Sequence, residues 1–219
     1  MRRPLAIAVF SVMLAGCSSG PVPPDWQLQA RPAIEAAVKA ELSGDARAAQ
    51  REFERGHALI ARTGQPALVA RAELMRCAAR LASLEFAPCE GFERWRGDAA
   101  PAERAYADHL AGKSLGQAQI ELLPTAQRSA AAAIASRSAA SLQGLDDPQS
   151  RLIAAALLFR AGLADPATIT LAADTASAQG WRKPLLAWLG VLAMRAERAG
   201  DAEAAAQQRR RIELVTSSR

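Results

Sequence analysis

Proline and glycine punctuate this 219-residue chain at short intervals and in a fixed order. Pro66, Pro101, Pro148 and Pro166 stand at the front of alanine- and leucine-rich runs, and Gly44, Gly64, Gly112, Gly162, Gly180 and Gly200 stand behind such runs. Proline is tolerated in the first turn of a helix, where its missing N–H has no partner to lose, and glycine readily takes the left-handed conformation that closes a helix. Asp45, Asp147, Asp165 and Asp201 directly precede runs and are predicted N-caps. No stretch between these marks sustains the period-two alternation of a strand. Ala, Leu, Arg, Glu and Gln, all good helix formers, fill the runs. The prediction is an all-α fold of about ten helices with short connections, which favour antiparallel neighbours.

The same signals predict boundaries. One helix runs from Pro32 to Gly44, another spans "TAQRSAAAAIASRSAASL" (125–142), and a third opens at Pro184. Ser114, just after Gly112, is predicted to cap the following helix, a role worth about 1 kcal/mol. Leu152–Phe159 and Pro184–Met194 are apolar almost all round. Arg160 and Arg195 end them well short of the roughly 20 residues of a membrane span, so they are predicted to be central, covered helices.

The first residues read differently. Arg2 and Arg3 precede an apolar run, Leu5–Ala15, and small residues lead into Cys17. That is the build of a secretion signal, to be set apart from the folded body. "LAGC", Leu14–Cys17, resembles the lipobox of bacterial lipoproteins. The resemblance covers only the first twenty residues. It implies cleavage after Gly16, acylation of Cys17, and a permanent membrane anchor, since each buried CH₂ contributes about 0.8 kcal/mol. Ser18 stands where Asp would imply inner-membrane retention, so the resemblance implies the outer membrane, with the body facing the periplasm. Residues 17–31, rich in Ser, Gly and Pro, read as a tether, and residues 32–219 as one helical domain.

Cleavage would remove Arg2 and Arg3 from the 27 basic residues and none of the 22 acidic ones, leaving a formal charge of +3 in place of +5. No long basic block occurs, so no nucleic-acid partner is expected. Besides Cys17 the cysteines are Cys77 and Cys89. An oxidising compartment favours a disulfide between them; two free thiols or a metal pair are the alternatives. With no histidine nearby they make a poor zinc site, and no metal or other cofactor is expected.

"GDARAAQREFER" from Gly44 and "GDAEAAAQQRRR" from Gly200 share a Gly-Asp turn followed by a small residue, Ala49 or Ala205. This resembles the helix-turn-helix unit of tetratricopeptide repeats. Phe53 fits the larger residue four positions on, whereas Arg209 departs from it. The match covers perhaps a third of the chain without a strict 34-residue period. It implies a TPR-like α-solenoid; an irregular helical bundle is the alternative.

"ADHLAGKSLG", 107–116, carries fragments of two enzyme motifs. Ala107, Gly112, Lys113 and Ser114 fit a relaxed P-loop, and Gly112, Ser114 and Gly116 fit G-x-S-x-G. Both motifs need a strand before the turn, and here a helix precedes it. His57 and His109 also come before Ser114, the wrong order for a nucleophile elbow. No nucleotide partner and no catalytic residue are expected. "GFERWRG" offers Phe92, Arg94, Trp95 and Arg96 as candidate partner-binding residues, because aromatic and guanidinium groups are enriched at binding hot spots. The expectation is a membrane-anchored scaffold that binds an envelope protein. A small cell-wall-acting enzyme or ligand-binding lipoprotein is the alternative.

Overall fold

The structure, a computed structural model, describes residues 23–217; the lipobox, Cys17 and the start of the expected tether up to residue 22 lie outside the described residues. The described chain is all helical apart from its connections. Its helices are α1 (Asp25–Ser43), α2 (Ala46–Ala61), α3 (Pro66–Ala82), α4 (Glu90–Glu93), α5 (Pro101–Leu110), α6 (Gln117–Leu122), α7 (Thr125–Ser136), α8 (Pro148–Arg160), α9 (Pro166–Ala178), α10 (Arg182–Arg198) and α11 (Ala202–Ser217). No described helix is long and apolar enough to cross a membrane.

The local signals act as expected. Asp45, Asp147, Asp165 and Asp201 accept the backbone N–H groups of Ala48, Ser150, Thr168 and Ala204 at 2.7–2.9 Å. Pro66, Pro101, Pro148 and Pro166 each open a helix. Gly44 and Gly200 sit at φ 83° and 75°, where a side chain would be strained, and turn α1 into α2 and α10 into α11. Ala49 and Ala205 are buried within these two hairpins. Arg209, where the repeat pattern has an apolar residue, instead donates across its hairpin to Glu197.

Several boundaries differ from the sequence reading. α1 begins at Asp25, so the tether does not extend to residue 31 and Pro32 lies inside the helix. Proline there removes the N–H that would reach the Leu28 carbonyl, a cost of about 3 kcal/mol in a helix interior. Pro32 is on the solvent face, where water can serve that carbonyl, while Ala30 is buried and Trp26 packs onto the cluster of Ile34, Phe53 and Ile60. Burial of this first turn offsets the proline. α7 stops at Ser136 rather than Leu142, because Arg137 turns left-handed (φ 51°) and Ser138 donates back to the Ala133 carbonyl. The chain released there drops Leu142 into the core, 2% exposed. α10 begins at Arg182; Pro184 still falls in its first turn, where no N–H has a helical partner.

Leu152–Leu158 of α8 is buried on every side, under α3, α7 and α9. The alanines among these residues let the neighbouring axes approach closely. Successive pairs then lead from α8 through α9 and α10 to α11, while α3 carries α1, α2, α4 and α5. α10 also returns to touch α1. Trp188 on α10 is fully buried and donates its indole N–H to the Ala82 carbonyl at the end of α3, 3.2 Å away. Lys183 bridges Glu41 of α1 and Glu85 beyond α3, the latter at 2.7 Å. In a linear array each unit meets only its sequence neighbours. Here the first and last hairpins are brought together, as in a closed bundle.

Trp188 therefore joins both halves. Trp188→Ala is expected to lose about 3–5 kcal/mol of stability in urea unfolding. A loss below about 1 kcal/mol would mean that the Trp188 contacts do not hold the halves together.

Candidate functional site

α3 is covered by neighbours along most of its length but keeps two solvent-facing stripes. From Arg71 to Arg80 is nine residues, about two and a half turns, so these residues face opposite ways. Leu68, Arg71 and Met75 form one stripe; Arg76, Cys77 and Arg80 form the other.

Clefts flank the Arg76–Arg80 stripe on both sides. A cavity of about 200 Å³ lies against α1 and α2, with Ile34, Glu41, Gln50 and Phe53 in its wall. The Arg76 guanidinium lies over the Phe53 ring, 4.4 Å from its centre. Such stacking holds a guanidinium in place while leaving most of its N–H donors free. On the other side, about 360 Å³ opens toward residues 87–91 and Arg94. A disulfide joins Cys77 to Cys89, with Cα atoms 5.8 Å apart, and staples this loop to α3. Beneath the loop, Gly91 leaves room for the buried Glu73 carboxylate; a Cβ at Gly91 would sit 2.2 Å from Glu73 Oε2. Glu85 meets Arg80 at 3.1 Å. Burial pushes the Glu85 carboxyl up, but hydrogen bonds and charge from Lys183 and Arg80 outweigh it and hold it below the usual carboxylate range.

The sequence-predicted binding residues separate here. Phe92 is fully buried and cannot meet a partner. Trp95 is half-buried between two parts of the core. Arg96 is occupied by Glu93 at 2.7 Å and Asp108 at 3.2 Å, and lies over the Phe92 ring. Only Arg94 is exposed at the cleft. Arg76 and Arg80, which join it there, were not singled out by sequence. The available signal was their i, i+4 spacing around Cys77, which places them on the side of α3 that the disulfide faces.

The 107–116 segment is a helix–helix turn. Gly112 closes α5 in the left-handed conformation, φ 73°. Lys113 is tied to Asp108 at 2.7 Å, which also holds Arg96. Ser114 is exposed and does not cap α6. That helix starts at Gln117, and the Gln119 side chain instead accepts the Gly116 N–H at 3.2 Å. The expected stability cost of losing the Ser114 hydroxyl is therefore absent. His109 is buried and contacts Gln127 Oε1 at 3.3 Å, while Gln127 Nε2 donates to the Ser150 carbonyl at 2.9 Å. This chain ties α5, α7 and α8 together and makes the imidazole Nε2 a donor. Burial pushes the His109 value down to about 4, against the hydrogen bond it donates to Gln127 Oε1, which raises it.

The Leu68–Met75 stripe is bordered by two apolar clefts of about 440 and 400 Å³. Trp26 and Ile60 contribute to the first, and Tyr106, Leu122 and Pro124 to the second. Arg71 stands between them, bonded to Glu103 Oε1 at 2.5 Å. Met75 and Leu122 are 39% and 44% exposed, high for large apolar side chains. No three His, Cys, Asp or Glu side chains among the described residues are grouped to hold a metal ion.

Two outcomes follow. Reduction of Cys77–Cys89 is expected to lower stability by about 3 kcal/mol, read from urea unfolding with and without reductant; unchanged unfolding would mean the staple contributes nothing. For His109 the unfolded chain takes up the proton first as pH falls. Its contribution is intact above about pH 6.5 and is lost toward pH 4, by about 3 kcal/mol at most. His109→Gln should flatten that part of the stability–pH curve, and an unchanged slope would contradict the assignment.

Compared with protein-family models, curated proteins and solved structures, the chain matches none.

Proposed function

We propose that this chain is a lipid-anchored envelope scaffold, acylated at Cys17, held at the outer membrane and facing the periplasm, that binds another protein through the Arg76–Arg80–Arg94 cleft. The observation that carries this reading is the cleft's construction. Arg76 and Arg80 project from a central helix, and Arg94 from a segment stapled to the same helix by Cys77–Cys89. Arg76 is held over the Phe53 ring and keeps N–H donors that can pair bidentately with a carboxylate, while Arg94 stands exposed on the stapled segment. The partner is accordingly a protein presenting an acidic segment. The basic start, apolar run and Cys17 support the anchor, which would raise the local concentration for partners at the membrane.

A photoreactive amino acid at position 94 in intact cells is expected to crosslink a discrete protein. Arg76→Glu and Arg80→Glu should each reduce that adduct severalfold, since truncating a hot-spot residue typically costs 2 kcal/mol or more, about 30-fold in affinity. Recovery of lipid alone, or an adduct insensitive to both charge reversals, would overturn the assignment of the cleft. Fatty-acid labelling tests the anchor separately: Cys17→Ala should abolish incorporation.

A further inference from the structure

We infer that the opposite side of α3, the Leu68–Arg71–Met75 ridge with the two apolar clefts beside it, lies on the lipid surface to which the chain is anchored. This rests on the acylation of Cys17 proposed above.

The anchor has a short reach. Cys17 precedes Pro23, where the described chain begins, by six residues. Even fully extended, six residues span at most about 22 Å. Trp26 follows within one turn of helix and stands in the wall of the larger cleft. The lipid-bearing residue therefore stays within that reach of the first turn of α1, whose Trp26, Gln27 and Ala30 line the larger cleft.

The chemistry of this face also suits lipid. Met75 and Leu122 expose apolar side chains at the ridge and at the rim of the second cleft. Trp26 adds an indole, whose apolar body and N–H suit the level of lipid headgroups. Arg31, Arg71 and Arg128 stand around the same clefts, and among the described residues Glu103 is the one carboxylate in the walls of either. Glu103 is 14% exposed and already held by Arg71. Arg31 is 80% exposed and pairs with Glu35 within a turn of α1. Arg128 spends its Nε on the Leu123 carbonyl. Each guanidinium carries five N–H donors, so donors remain for lipid phosphates. An apolar floor with arginines at its rim complements an anionic bilayer. The two stripes of α3 would then divide the work, one seated on lipid and the other offered to the periplasm.

The test uses the full chain purified with its N-terminal modification and placed in vesicles of phosphatidylethanolamine and phosphatidylglycerol. Leu122→Cys and, on the opposite side, Gln50→Cys each supply a thiol for an environment-sensitive fluorophore; both positions are exposed, and Cys77–Cys89 is bonded. The expected result is a blue shift and loss of iodide quenching at position 122 but not at position 50. The effect should weaken when phosphatidylglycerol is omitted. Equal quenching at both positions in an acylated, vesicle-bound protein overturns this inference and leaves the anchor intact. Protection at 122 that depends on protein density rather than lipid assigns the face to a second copy and overturns it as well. An intact mass without acyl chains overturns the anchor and this inference together.

Discussion

A helix apolar on every side has to be covered on every side, and α8 imposes that requirement here. From Leu152 to Leu158 it offers no polar stripe to water, so α3, α7 and α9 must enclose it. The alanines at positions 154–156 leave no bulk to hold those neighbours away. Everything else is arranged around that enclosure. α3 carries α1 and α2 outward, α9 leads to α10 and α11, and the two arms meet again where Trp188 reaches Ala82. Lys183, sharing its charge between Glu41 and Glu85, closes the seam near the surface.

This arrangement explains why α3 can serve two surfaces at once. A helix on the rim of a bundle has one exposed face. α3 packs against α8, α1, α2, α4 and α5 and accepts the Trp188 indole N–H of α10 at its C-terminal end, which leaves two narrow stripes on opposite sides. One stripe is cationic and stapled to a loop; the other is mostly apolar and bordered by clefts. A rigid core helix with opposite chemistries on its two faces can transmit position from one to the other without any moving part.

What was legible in the sequence was local. An aspartate before a proline-led run fixes a helix start by its own hydrogen bond, and a glycine after the run fixes its end, so the four caps and the two Gly-Asp turns could be read directly. What was not legible depended on distant partners. Pro32 reads as a start because nothing nearby shows that Ala30 is buried and Trp26 packed against the cluster formed with α2 and α3. The 125–142 run looked continuous because its alanines favour helix, whereas the destination of Leu142 is a tertiary matter. Phe92 and Trp95 looked like a binding pair because burial cannot be read from residue type. Ser114 is the local exception: the Gly116 N–H donates to the Gln119 side chain three residues on, and α6 starts at Gln117 instead. The Lys183–Glu41 contact joins residues 142 apart and left no local trace.

α3 and α8 form one unit, and both exposed stripes of α3 are carried on it. Native-state amide hydrogen exchange on the full chain measures this most directly. The account predicts that the amides of α3 and α8 exchange only through global unfolding, with the same free energy and the same denaturant dependence, and that residues 92–95 join them while Cys77–Cys89 is intact. Exchange of α3 at much lower free energy, opening together with α1 and α2 while α8 stays protected, would contradict it.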